Sequence, residues 1–193
     1  MYKKILTIAG LVGVGVLGRL VPHAPNATPI TAITLAARRH VGRVWAFVVP
    51  MAAMVLSDMV LGFYNWKVLA SVYGSFLLIA LLSHFLQKSS SPFAPVAFAV
   101  AGALLFFITT NFAVWVLSPW YEKSFAGLLY CYTLGLPFLR NMLLGDVAYT
   151  VALFSVFTIP TRAPQHTEKL LCKVQSYKGP TYGAREHGST YGA

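Results

Sequence analysis

Few ionisable groups interrupt the apolar runs of this chain, and those few are where chemistry could reside. Arg19, Asp58, Arg140 and Asp146 each sit inside or at the end of a long apolar stretch, where a charge is costly and needs a partner or a function. Around them fall side chains able to recognise a small molecule through hydrogen bonds: His23, Asn26, Tyr73, Asn111 and Asn141. Two readings stand side by side. In one, these groups line an outward-facing pocket, with the arginines for anionic groups and Asp58, Asn111 and Asn141 for hydrogen-bond recognition. In the other, Arg19 or Arg140 pairs with Asp58 or Asp146, and the pairs lock helices together. The readings are compatible, because ion pairs can also rim a pocket.

Catalysis finds little support. The chain contains no Ser-His-Asp arrangement, HExxH motif, phosphate-cradling glycine loop or workable carboxylate pair. The histidines at 23, 40, 84, 166 and 187 fall mostly in loops, at the ends of apolar runs or near the C-terminus. Cys131 and Cys172 offer no disulfide framework, and no Cys/His spacing reads as a zinc site. Cys131, between Tyr130 and Tyr132, reads as a core thiol before it reads as a ligand. No catalytic residue, metal or cofactor is expected.

The elements that position the polar groups follow from composition. Of 193 residues, 57% are hydrophobic and only 10% charged, too few charges to clothe a soluble domain of this length. The expectation is an all-α, polytopic membrane protein with about six transmembrane helices over residues 1–160. A flexible, basic, cytoplasmic tail is expected over 161–193. The net charge of +10 does not suggest nucleic acid, because the lysines and arginines sit at the ends of apolar runs and in the tail, where anionic headgroups would meet them.

Ile5 to Gly18 follows Lys3 and Lys4. It resembles a signal peptide, but no small-x-small cleavage site follows, so it is expected to be retained as the first span. After a proline-stiffened connector comes Ile30 to Ala37, too short to cross a hydrocarbon layer of about 30 Å. It either tilts and borrows residues from both sides or is a half-span packed inside protein. Trp45 to Phe63, Val68 to Leu86 and Phe93 to Leu117 are the next spans. In the last stretch, Gly135, Pro137, Arg140 and Asn141 predict a break, with a partial or re-entrant helix over Phe125 to Leu136 and a final span over Leu139 to Ile159. Small-x-x-x-small spacing at Ala9 and Gly13, and at Ala97 and Ala101, predicts close helix packing.

With both termini cytoplasmic, Lys3, Lys4, Arg38, Arg39, Arg43, Lys88 and the tail's basic residues lie inside. Arg19, Lys67, Lys123 and Arg140 lie in the outer half or outside, which matches the positive-inside bias. Rise along each span then places Asp58 about 20 Å and Asn111 about 27 Å above the inner ends of their helices. Arg19, Tyr73, Arg140 and Asn141 reach a similar level, with His23 and Asn26 closing over them. The tail carries a short duplication, GPTYGA from Gly179 and GSTYGA from Gly188. It is read as a solvated low-complexity end, with a partner- or lipid-binding tag as the alternative.

Several runs carry a likeness: Pro22–Ile30 (PHAPNATPI), Pro50–Asp58 (PMAAMVLSD) with Val60–Phe63 (VLGF), Val72–Ser75 (VYGS), Leu105–Trp115 (LFFITTNFAVW) and Pro137–Asp146 (PFLRNMLLGD). Together, over roughly residues 15 to 157, they resemble a family of small bacterial membrane proteins of unknown function. That family is in turn similar to the substrate-binding S components of energy-coupling factor vitamin transporters. The resemblance implies a six-helix, S-component-like bundle in a bacterial cytoplasmic membrane, with a substrate site facing outward. It also implies a first helix whose Ala9 and Gly13 contact a transmembrane coupling subunit, with ATP hydrolysis left to separate subunits. Ala36-Ala37-Arg38-Arg39 departs from the glycine-rich turn expected there, which bears on the second helix. The expected function is binding of a small polar, vitamin-like molecule for uptake. A non-transporting scaffold or partner-binding protein is the alternative.

Overall fold

The computed structural model describes residues 2–63 and 65–158. Among them there are helices and no strands: α1 (Tyr2–Leu20), α2 (Ile30–Ala36), which runs on as a π-helical turn over Ala37–Val41, α3 (Trp45–Leu61), α4 (Trp66–Leu86), α5 (Ala94–Leu117) and α6 (Phe125–Thr158). The expected tail from residue 161 onward, with its duplication and Cys172, lies outside the described residues.

Side-chain contacts fix the directions of the helices. Gly15 faces Ala53 and Arg19 reaches Asp58, so α1 and α3 run parallel. Gly18 packs on Pro29 while Gly15 meets Ile33, so α2 runs back against α1. Tyr73 meets Asp58, Phe76 meets Phe106, and Asn111 sits against Gly135, so α4, α5 and α6 alternate in turn. One end of the bundle therefore gathers Arg19, Pro29, Leu61 and Trp66. The other gathers Tyr2, Arg38, Leu86 and Ala94.

The short segment from Ile30 is a half-length helix packed inside protein. Every residue of α2 is buried, and the helix touches all the others. Seven residues are too few for a helix that stands alone in water, so tertiary packing holds it. The π-helical turn that follows swings Arg38 inward, where Nη2 lies 3.1 Å from His84 Nδ1. That turn occupies the place where a glycine-rich turn was expected.

The expected break in the last stretch does not occur. Residues Phe125–Thr158 form one helix, with Pro137 inside it, about 51 Å long at 1.5 Å per residue. Proline forfeits one backbone hydrogen bond, but Pro137 is exposed while Gly135 and Met142 are buried on either side of it. Packing on both sides of it, Gly135 against Asn111 of α5 and Gly145 against Ala27, keeps the two halves in line.

The small-residue expectation also needs correction. Ala9 is exposed, and a Cβ on Gly13 would meet nothing within 4 Å. The close approach is made at Gly15, where a Cβ would stand 2.6 Å from Ile33 Cδ1 and 2.7 Å from Ala53 Cβ. On α5 the buried small residues are Ala99, Gly102 and Ala103, whereas Ala97 and Ala101 are exposed. Gly15→Ala is thus expected to cost about 1–3 kcal/mol through overpacking. Gly13→Ala is expected to be neutral or to stabilise by up to about 1 kcal/mol through helix propensity. Thermal unfolding in detergent separates the two; equal effects would refute the packing described.

Two helices, α4 and α5, are long and apolar enough to cross a membrane by length and composition, and the shorter α3 is also apolar. Their apolar character extends to their outer faces. Leu77, Leu81 and Phe85 on α4 and Leu104, Ile108 and Phe112 on α5 are exposed at one-turn spacing, where a helix facing water would carry charge.

Candidate functional site

Arg19 lies in the last turn of α1, and the glycine faces at Gly15 and Gly18 bring that turn against α2 and α3. Its guanidinium reaches across to α3. Nη2 stands 2.7 Å from Asp58 Oδ1, and Nη1 donates to the Met54 carbonyl at 3.2 Å and to Ser57 Oγ. The other carboxylate oxygen, Asp58 Oδ2, accepts from the Tyr73 hydroxyl at 2.8 Å. The side chains are 13% and 1% exposed for Arg19 and Asp58, so this is a buried pair with both carboxylate oxygens engaged. Such geometry offsets the desolvation that would otherwise make a buried charge prohibitive.

Beside the pair lies a cavity of about 350 Å³, within the size range of small-molecule sites. Arg19, Asn26 and Thr28 supply its polar side. Met54 of α3, Val72 and Phe76 of α4, Phe106 of α5 and Met142 of α6 form the apolar wall. The loop between α1 and α2 is held in place from two directions. Asn26 turns it with a φ of 66°, a conformation asparagine tolerates better than most residues. Ala27 packs against Gly145 of α6, where an added Cβ would stand 2.9 Å from the Ala27 Cα. Every long helix and the connecting loop therefore contribute to one enclosure.

The structure brings together Arg19, Asp58, Tyr73 and Asn26 of the expected residues, and separates the rest. His23 is exposed, with Nδ1 2.7 Å from the carbonyl of Val21. Asn111 donates to the Phe107 carbonyl of its own helix at 2.8 Å and fills the α5–α6 contact at Gly135. Arg140 is exposed; with Asn141 it lines a different depression beside Thr133 and Pro137. Asp146 is buried deeper, facing Thr31 of α2. Of the pairings considered, Arg19 with Asp58 forms; it is the ion pair seen among the described residues. Cys131 is a buried free thiol against the Asn111 carbonyl.

Sequence reasoning missed Ser57, Thr28 and the apolar wall. A helical signal for part of it existed. Met54 lies one turn before Asp58 and Phe76 close to one turn after Tyr73, hence on the faces that the polar residues mark. Among the described residues, no three His, Cys, Asp or Glu side chains gather to hold a metal. A second cavity, of about 440 Å³, lies at the opposite end between Arg39, the 89–96 segment and Thr150, and has no buried ion pair beside it.

A family model described as a family of unknown function (DUF6580) matches residues 1–167. No match to the chain was found among curated proteins or among solved structures.

Proposed function

The chain belongs to this family of unknown function, and from that premise we propose that it is a multi-pass membrane protein that binds a small molecule for uptake, an S-component-like subunit without its own ATPase. The observation that carries the proposal is the cavity of about 350 Å³ with a buried Arg19–Asp58–Tyr73 cluster at its side. A lock between helices needs the ion pair but not the empty, apolar-walled space beside it.

The membrane setting is supported by the apolar outer faces of α3, α4 and α5 and by the division of basic residues. Lys3, Lys4, Arg38, Arg39, Arg43 and Lys88 stand toward one end, while Arg19, Lys67, Lys123 and Arg140 stand toward the other, where the cavity lies. Under the positive-inside bias the cavity faces outward. Energy for release would come from separate ATPase and transmembrane subunits, as the chain has no phosphate-binding loop. The face of α1 with exposed Ala9 and with Gly13, where an added Cβ would meet nothing within 4 Å among the described residues, is the surface proposed for a partner helix.

The geometry alters the ligand class. Arg19 is already neutralised by Asp58, and Arg140 lies elsewhere. The groups left to recognise a ligand are the neutral Asn26 and Thr28, with sulfur and aromatic surface from Met54, Phe76, Phe106 and Met142. The ligand proposed is therefore neutral and amphipathic, with an apolar body and a hydrogen-bonding head, rather than an anion.

Mass spectrometry of small molecules that co-purify with the detergent-solubilised chain tests this. The native chain is expected to retain such a compound. Val72→Trp, which fills the cavity from its wall, is expected to lose it while the chain stays folded. Equal recovery from both proteins, or retention of an anionic compound in place of a neutral one, would sink the proposal.

A further inference from the structure

On the side of the cavity away from its loop, α6 carries a carboxyl that the site does not use. Asp146 is 1% exposed, Thr31 1% and Thr150 0%. Asp146 and Thr150 are one turn apart and share a face of α6, and Thr31 of α2 lies beside the carboxyl and interacts with it. Asp146 Oδ2, Thr31 Oγ1 and Thr150 Oγ1 have no hydrogen-bond partner. Hydroxyls within helices have an easy alternative, bonding back to the carbonyl one turn earlier, as Thr34 does to Ile30 at 2.7 Å and Thr109 to Leu105 at 2.8 Å. Thr150, within α6, does not take it, and Thr31, in the first turn of α2, has no helical carbonyl behind it.

No counter-charge reaches this carboxyl among the described residues. Arg19 is engaged by Asp58. Arg38, further along the α2 segment, turns to His84. Arg39 turns to the carbonyls of Leu86 and Ser89. Buried polar atoms without partners are exceptions that call for an unseen water or ion, and a buried carboxylate calls for a positive charge.

We propose that Asp146, Thr31 and Thr150 form a binding site for a hard monovalent cation, sodium. The donors are all oxygen, which disfavours zinc and copper. A single carboxylate balances one positive charge and leaves a divalent ion under-neutralised. A water molecule would satisfy the hydroxyls but leave the carboxylate's charge, and a proton would remove the charge and pair the carboxyl with Thr31 but leave the Thr150 hydroxyl. Sodium answers both requirements. The site would tie α2 to α6, one turn from Met142 of the cavity wall, and it does not depend on the uptake reading.

The experiment measures thermal unfolding of the full-length chain in detergent with rising sodium chloride, against potassium and choline chlorides at equal ionic strength. Binding of radioactive sodium is measured in parallel. Sodium is expected to raise Tm saturably by several degrees, with about one ion bound per chain, as ligand linkage requires. Asp146→Asn is expected to abolish the shift and the binding, and to unfold no earlier than the parent in sodium-free buffer. Thr150→Val is expected to weaken sodium binding about tenfold and serves as the readout should Asp146→Asn not fold. Identical responses to choline, or a sodium response retained in both variants, would overturn the proposal. So would absence of bound sodium from the parent, which would mean that the carboxyl holds a proton.

Discussion

Replacing Arg19 by alanine is expected to destabilise the chain by about 3–5 kcal/mol, the cost of stranding one partner of a buried ion pair. Asp58 is 1% exposed, so water cannot take the place of the guanidinium. The Tyr73 hydroxyl would remain its hydrogen-bond partner without supplying charge. The change also removes the donor to the Met54 carbonyl and to Ser57 Oγ, which knits α1 to the end of α3. Asp58→Asn in the same background is expected to recover part of the loss, because it removes the stranded charge, so the two substitutions are strongly non-additive. Arg140→Ala supplies the contrast. That side chain is exposed, and its loss is expected to fall within about 0.5 kcal/mol of neutral. Thermal or denaturant unfolding in detergent measures all four proteins, and similar costs for Arg19→Ala and Arg140→Ala would contradict the pairing.

Ile33→Ala is expected to cost about 2–5 kcal/mol, the range for removing a fully buried aliphatic side chain. Ile33 is 0% exposed in the middle of α2, with its Cδ1 against the bare backbone of Gly15. Because α2 has no stability of its own, lost packing there is lost order in the α1–α2 loop that carries Asn26 and Thr28. On the proposed binding role, ligand retention should therefore fall with stability, even though Ile33 does not line the cavity. Gly15→Ala is expected to cost less in the Ile33→Ala background than alone, since the shortened side chain makes room for one of its two clashes. Additive costs in unfolding experiments would show that the two residues do not touch.

The helices were legible because apolar runs of characteristic length, ended by proline, glycine and charge, admit few other readings. The cluster of Arg19, Asp58 and Tyr73 was legible by counting rise, since height along a helix follows from position alone. Height does not give direction. Arg140 and Asn111 lie at heights compatible with the cavity, yet one points outward and the other into the α5–α6 seam, and only the rotation of each helix in the bundle settles that. The same gap hid Gly15 behind Ala9 and Gly13, because glycines and alanines occur on several faces of α1. Pro137 misled for another reason. Its local chemistry favours a break, but the buried residues on both sides of it are committed to the bundle, Gly135 against α5 and Gly145 against the α1–α2 loop. The cavity wall was invisible because Val72, Phe76 and Phe106 look alike in sequence whether they face a core, a ligand or lipid.

The complete enclosure of α2 also bears on how the chain is made. Its second helix leaves the ribosome before α3 to α6 exist, yet its final surroundings include all of them. A nascent chain ending after α3 has nowhere to house that segment, and only arrival of α6 completes its surroundings. Quality-control proteases should therefore recognise chains truncated before α6 as unfinished, even when the long apolar helices have already formed.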